Sequence, residues 1–311
     1  MRILIIGAGV IGLSYGWLLS RDHQVVVMAR PHRAEQLRAG VQMRLHRAGG
    51  GRRGRPSLVG RFRPGVVDEP VDADLALVAV DRTRLGELLP MLEPLAGSTP
   101  LLFMLNHWDI VGEVSSWLAP GHYCVGFPGQ IGGGHTAEGI EATLFDRGTR
   151  LEAGARGRRA LLDRIDSALA AAGLKVKRER DMPGWLAVHY LQQSLTLGPL
   201  LEAGGYDRLC ADDAALRRMV LALREGVAVC RARGIATGRI PPAPLLRLPV
   251  GMVAAGLGRM FSQDDTRRMV LAHLAHGRAE WRAGFFEVLA AGRRLGVPMP
   301  IWDSYSSLVA G

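Results

Sequence analysis

MRILIIGAGVIGLSYGWLLSRDHQVVVMAR, Met1 to Arg30, is the stretch on which the fold turns. It opens with a short apolar run, Ile3 to Ile6, passes through Gly7-Ala8-Gly9-Val10-Ile11-Gly12, and continues as an apolar helical segment to about Ser20. A second apolar run, Gln24 to Met28, follows. Strand, glycine-rich turn, helix and strand in this order make a dinucleotide-binding fingerprint in its proper context. Gly7 allows the tight turn, Gly9 lets the backbone approach a pyrophosphate, and Gly12 lets the helix pack on the strand. The amides that start the helix, at Val10 and Ile11, then face the phosphates.

The end of the second strand selects the cofactor. An acidic residue there would bind the ribose diol of NAD, but the strand runs into Met28-Ala29-Arg30-Pro31-His32-Arg33. An arginine suits the additional phosphate of NADP(H), so Arg30 is the expected ligand and Arg33 its helper. Further short apolar runs at Leu75–Val80, Leu101–Leu105 and Tyr123–Phe127 fit a buried parallel sheet. Ligands collect at the C-terminal ends of such strands, which here carry Asp81, Asn106-His107-Trp108 and the GFPGQ segment up to Gln130. Asn106 is either a contact to a nicotinamide ribose or substrate oxygen, or a turn residue or helix cap. IGGGH, Ile131 to His135, reads as a flexible loop. LKVKRER reads as a last strand whose alternation points both lysines outward.

From Asp181 onward strand-like runs vanish and helical periodicity takes over. Helices are expected at about 184–203, 212–233, 250–258, 264–292 and after Pro300, with Asp212 or Asp213 as a cap and Gly234 as a stop. The fold class is therefore α/β: an N-terminal Rossmann-type parallel sheet over residues 1–181, with a second, all-α domain over 182–311 supplying substrate and catalytic groups. A long helix leaving such a sheet is expected to act as a hinge and cleft wall.

Composition limits the alternatives. Hydrophobic residues make up 48% of 311, enough for a sizeable core. Cys124, Cys210 and Cys230 show no metal or redox spacing and read as reduced thiols in a cytoplasmic setting. The basic-then-apolar start lacks a signal-peptide cleavage site, and no stretch reaches the ~18 apolar residues of a membrane span, so no membrane partner is expected. The net charge of +10 comes from 37 arginines and only two lysines, Lys175 and Lys177. Arginine keeps its proton at working pH, so lysine-dependent chemistry has two places to reside. The densest basic segment, Arg44 to Arg63, alternates with glycines and holds one aromatic, Phe62. It reads as a solvated, exposed hairpin with little stacking surface, which makes nucleic acid an unfavoured partner.

The first predicted helix of the second domain contains PGWLAVHYLQQSLT, Pro183 to Thr196, inside an uncharged run from Met182 to Leu201. At helical spacing His189, Gln192, Gln193 and Thr196 line one face. With GAGVIG, Arg30, LLFMLNH, GFPG and the segment HGRAEWRAGFFEVLAAGRRLGVPMP, the chain resembles the ketopantoate reductase family over nearly its whole length. The resemblance implies an NADPH-dependent reductase of 2-oxo acids, with Asn106 beside the nicotinamide and Glu280 on a substrate hydroxyl. The family has Gly after its Asn where this chain has His107, and a strand-end Lys where it has Asp81. The family's proton donor is a Lys two residues after a Trp, with asparagines four and eight residues further on. Anchored on Trp185, those positions are Ala187, Leu191 and Leu195; anchored on Leu195-Thr196, they are Trp185, His189 and Gln193. Neither register supplies a lysine.

Hydride delivery to a carbonyl leaves charge on oxygen, and a positioned acid there is commonly worth about 10²–10⁴ in rate. His189 is the natural substitute because imidazolium titrates near neutrality, although a hydrogen-bonded core histidine is the plainer reading. His273, His276 and His107 are rivals; His276 and Glu280 are four apart and share a helix face, as an acid–carboxylate pair would. The expectation is an NADPH-dependent reductase of a carbonyl (2-oxo acid or ketone) or an imine, with a small-molecule substrate other than ketopantoate. The alternatives are a redox-neutral cyclase, isomerase or eliminase on the same scaffold, and a non-catalytic NADP(H)-binding protein. A helical second domain is compatible with a homodimer.

Overall fold

The computed structural model describes residues 1–49, 55–154 and 158–311. Two compact units emerge, Met1–Leu105 with Ile110–Met182, and Asn106–Asp109 with Pro183–Gly311.

In chain order the first unit contains β1 (Arg2–Ile6), α1 (Val10–Leu19), β2 (Gln24–Met28), α2 (Pro31–Ala39), β3 (Val41–Arg47), β4 (Arg55–Phe62), β5 (Gly65–Val67) and β6 (Leu75–Val78). It continues through α3 (Leu85–Leu92), β7 (Leu101–Met104), α4 (Ile110–Val114), β8 (Tyr123–Phe127), β9 (Ile131–His135), β10 (Gly139–Leu144), β11 (Thr149–Glu152), α5 (Arg159–Ala171) and β12 (Val176–Glu179). The main sheet has eight strands in the order β12-β11-β8-β7-β6-β1-β2-β5. All neighbours from β8 to β5 are parallel. The chain starts at the centre with β1, moves out through β2 to β5, then crosses back to β6, which is the doubly wound arrangement. β6 and β7 are buried at every residue, which explains why they read as unbroken apolar runs. The order reverses between β1 and β6, so the ends of these two strands border the position where such sheets hold ligands.

A second sheet, β4-β3-β10-β9, changes two expectations from sequence. The β3–β4 hairpin forms, with Val41 opposite Phe62 and Leu45 opposite Leu58, but it does not stand alone. β3 pairs in parallel with β10 along its other edge, and Met43, Leu45 and Phe62 join the core shared with α1. The outward residues Gln42, Arg44 and His46 alternate with these buried ones, as a one-sided sheet requires. Residues 50–54 of the arginine-rich segment lie outside the described residues.

IGGGH is a strand, not a flexible loop: β9 pairs antiparallel with β10, Gly133 facing Ala142. A side chain at Gly133 would run into the Glu141 carbonyl and Ala142, so the glycine permits close approach of two backbones. At the edge of the main sheet, Lys175 and Lys177 flank the start of β12 and are exposed as expected, and Lys175 Nζ sits 3.1 Å from Asp146 Oδ1.

The second unit is helical: α6 (Met182–Ala203), α7 (Tyr206–Ala211), α8 (Asp213–Ala232), α9 (Val250–Phe261), α10 (Asp264–Arg294), α11 (Pro300–Asp303) and α12 (Ser306–Ala310). Asp212 caps α8 by accepting from Ala215 N at 3.0 Å, and Gly234 follows α8 with φ +84°. The short helices α7 and α12 escape the sequence reading; α7 is set off from α6 by Gly204 and Gly205, both at positive φ. Gly226 of α8 packs under Leu191 and Trp302, and the Glu225 carboxylate accepts from Ile301 N and Trp302 N at 3.1 and 2.8 Å, fixing the start of α11. No helix among the described residues is long and apolar enough to cross a membrane.

Candidate active site

The candidate dinucleotide cradle lies in the first unit. Gly7 has φ +114°, and a Cβ there would overlap the Ala79 carbonyl at the end of β6. A Cβ on Gly12 would overlap the Gly7 carbonyl. Packing therefore demands glycine at both positions. Gly9 differs: a Cβ there would meet nothing within 4 Å. The first helical bond runs from Leu13 N to Gly9 O at 3.0 Å, so the amides of Val10, Ile11 and Gly12 precede the ladder. No side-chain bond caps α1 at Gly9, and its first turn has no acidic residue. A pyrophosphate fits this cradle.

At the end of β2, Arg30 is the N-cap of α2 and is exposed. Arg33, one turn on, donates from Nη2 to the Ala8 carbonyl at 3.1 Å and so touches the glycine loop itself. Asp81 caps the turn after β6 by accepting from Thr83 N at 2.8 Å. Gln130 is buried and bonded to Phe145 O and Thr149 N, a structural role.

A separate group of candidate residues lies in the second unit, around α6. His189 is half-buried and its ring stacks on Trp185, 4.7 Å between centroids at 13°. Gln193, one turn further, accepts at Oε1 from Asn106 Nδ2 at 2.8 Å. Asn106 lies in the chain between β7 and α4. It is 9% exposed, and Oδ1 is buried with no partner among the described residues. Whichever way round the two amides pair, one polar atom of Asn106 is left over for a ligand, and burying it unpaired costs about 1–3 kcal/mol. The segment is held firmly: Arg233 donates to the Trp108 carbonyl at 2.8 Å and lies 4.4 Å from the Trp108 ring centroid. Gln192 is half-buried beside this pair in sequence, whereas Thr196 is buried and bonds back to the Gln192 carbonyl at 2.5 Å. Thr196 stays on the same helix face, with its hydroxyl engaged by the backbone.

Another polar contact of α6 was not legible in the sequence. Tyr190 OH donates to Glu287 Oε2 of α10 at 2.7 Å. A Cβ at Gly284 would lie 2.7 Å from Ser194 Oγ and 2.9 Å from Tyr190 OH, so α10 approaches α6 closely there. Glu280, Gly284 and Glu287 are spaced four and three apart, one face of a helix; this periodicity was the available signal. Tyr190→Phe is expected to lower stability by about 1–2 kcal/mol, seen as a lower urea midpoint with unchanged slope; an unmoved midpoint would show the bond to be dispensable.

Glu280 is half-buried on α10. The His276 side chain lies outside the described residues. The other two rival histidines make local bonds. His107 is buried and accepts at Nδ1 from Asp109 N at 3.0 Å. His273 bonds through Nδ1 to the Met269 carbonyl at 3.2 Å, and burial pushes its pKa below the usual imidazole value. Among the described residues no group of acidic, histidine and cysteine side chains could hold a metal.

A glycine loop at the switch point of a doubly wound parallel sheet, together with a helical unit that carries half-buried His, Gln and Glu side chains, gives an α/β fold with a Rossmann-type first unit and a helical second unit. Residues 3–153 match the model of the family described as ketopantoate reductase PanE/ApbA. The fold extends that likeness to full length. The chain is similar to D-mandelate dehydrogenase, solved as a ternary structure with NADH and anilino(oxo)acetate, at 16% identity, covering 100% of this chain and 97% of that one with a TM-score of 0.75. It is similar to a PanE/ApbA family ketopantoate reductase from Ralstonia eutropha JMP134 at 23% identity, covering 100% and 97% with a TM-score of 0.71. A 2-dehydropantoate 2-reductase from Geobacter metallireducens GS-15 matches at 18% identity, 100% and 99% coverage and a TM-score of 0.71. No curated protein matches the chain.

Proposed function

We propose that the protein is an NADPH-dependent reductase of a carbonyl, a 2-oxo acid or ketone, or of an imine, with a substrate other than ketopantoate. The observation that carries this reading is Gly9: packing accounts for Gly7 and Gly12, whereas the open side of Gly9 is accounted for by a ligand that the backbone must approach. The nicotinamide cofactor would supply the hydride. The chain's own residues would do the rest. The amides of Val10, Ile11 and Gly12 bind the pyrophosphate, and Arg30, helped by Arg33, takes the ribose phosphate. Gln193 orients Asn106, whose remaining polar atom accepts or donates to a ribose hydroxyl or substrate oxygen. His189, its ring set by Trp185, delivers a proton to the oxygen or nitrogen on which charge develops. Glu280 accepts from a substrate hydroxyl, with Gln192 and His276 as further polar contacts.

The missing lysine on α6 favours one other reading, redox-neutral chemistry on the same scaffold. Incubating the purified protein with NADPH and a panel of 2-oxo acids, ketones and imines tests the proposal. Consumption of NADPH with at least one of them is expected; tight NADPH binding with no consumption on any would contradict it and leave a binding protein or a redox-neutral enzyme. Cofactor choice has its own test. Arg30→Asp is expected to weaken NADPH binding about 10- to 100-fold, as for loss of a charge-assisted bond, and to leave NADH binding unchanged in a titration. Equal losses for both cofactors would place the phosphate elsewhere.

A further inference from the structure

Away from the dinucleotide cradle, the second sheet carries a serine, a histidine and a glutamate joined by hydrogen bonds. Ser57 of β4, His46 of β3 and Glu141 of β10 stand on three adjacent strands, with β3 in the middle. Ser57 Oγ lies 3.1 Å from His46 Nδ1, and His46 Nε2 lies 2.6 Å from Glu141 Oε1. An ionised carboxylate only accepts, so a proton on Nε2 belongs to the bond with Glu141. In the neutral ring Nδ1 is then the acceptor, and the hydroxyl that faces it is the donor. The partners themselves set the tautomer.

The backbone explains why these side chains meet. Leu45 and Leu58 are paired across β3 and β4 and turn toward the core, so their neighbours His46 and Ser57 turn outward together. The next pair in register is Arg47 with Arg55, which leaves one extra residue on β4. This is a bulge, and Pro56, which has no N–H for a ladder, lies within it. On the other edge of β3, Glu141 pairs with Arg44, one outward position before His46. The His46 and Glu141 side chains keep 25% and 41% of their surface exposed, and Ser57 is half-buried, so solvent reaches the group. Val59, two residues from Ser57 on β4, is exposed and offers an apolar surface beside it.

A hydroxyl bonded to an imidazole that a third group orients is the arrangement that makes serine a nucleophile. The ring is used the other way round from the triad of serine proteases, with Nδ1 toward the serine, but either nitrogen can take the proton. We propose that Ser57 is a nucleophile for acyl transfer from aryl esters with a small apolar acyl part, with His46 as its base and Glu141 positioning His46. Ser57 Oγ attacks the ester carbonyl while Nδ1 takes its proton. The bond to the phenolic oxygen breaks, and that oxygen receives the proton from His46. Water, giving its proton to the same Nδ1, then releases the acid and restores Ser57. All three residues lie in the first unit, and the proposal does not depend on the reductase reading.

The test treats the full chain with phenylmethanesulfonyl fluoride, whose sulfonyl group stays on an activated serine as fluoride leaves, and maps the modified residues by peptide mass. Ser57 should react about tenfold or more faster than any other serine, and about 100-fold slower in His46→Gln, as for loss of a positioned base. Glu141→Gln, which keeps shape and hydrogen bonding but loses the charge, should slow the reaction at an unchanged melting temperature. Hydrolysis of p-nitrophenyl acetate should fall in Ser57→Ala and in the sulfonylated parent. A Ser57 no more reactive than other serines, an unchanged rate in folded His46→Gln or Glu141→Gln protein, or ester hydrolysis indifferent to Ser57→Ala would each overturn the proposal.

Discussion

Gly9→Val is expected to reduce NADPH affinity by at least about 100-fold, some 2.7 kcal/mol, while leaving the melting temperature where it was. The cause is geometric. A side chain at position 9 meets no protein atom within 4 Å, so folding has nothing to object to. The same side chain fills the space that a pyrophosphate needs in order to reach the amides of Val10, Ile11 and Gly12. Gly12→Val is the control with the opposite signature. Its Cβ would overlap the Gly7 carbonyl, so helix α1 must move off the sheet. A loss of ~3 kcal/mol or more of stability is expected there, through overpacking. Unfolding by denaturant and titration with NADPH, run on both variants, separate the two roles. A Gly9 variant that binds NADPH like the parent would remove the ligand explanation for this loop.

His189→Ala is expected to lower the turnover number by about 10²–10⁴, the usual contribution of a positioned acid. A side chain that merely held α6 in place would show a lower melting temperature and a smaller kinetic loss. The pH profile separates the roles further. A proton donor works in its protonated form, so the parent's rate should decline as pH rises, and the variant should lack that decline. Glu280→Gln should act differently, raising KM more than it lowers the turnover number, because a hydroxyl contact is kept in ground and transition states alike. Full activity in the His189 variant would exclude it as the donor.

Local grammar was the most legible part of the sequence. The first thirty residues could be read as strand, glycine turn, helix and strand because every feature of that motif lies within one short span. The same holds for the cap at Asp212 and the stop at Gly234. Pairings across long separations were illegible. IGGGH looked like a loop because glycine weakens a strand locally, yet contact with β10 demands glycine at position 133. The arginine hairpin looked free-standing because β10, its other neighbour, lies about eighty residues downstream. In α6 the half-buried His189, Gln192 and Gln193 were visible from spacing. Thr196 shares that face, but its hydroxyl is bonded to the carbonyl four residues back. Tyr190 pairs with Glu287 from 97 residues away, and only the helical spacing of Glu280, Gly284 and Glu287 hinted at it. The absence of a lysine from α6 needed no structure at all.

The central claim is that this chain moves a hydride to a carbonyl or imine without a lysine on α6. It is tested most directly with NADPH carrying deuterium at the transferable C4 position of the nicotinamide. With any substrate the protein converts, the product should gain one deuterium at the reduced carbon, and NADPH should disappear in equal amount. Product that forms unlabelled while NADPH stays intact would contradict the account and assign redox-neutral chemistry to the scaffold.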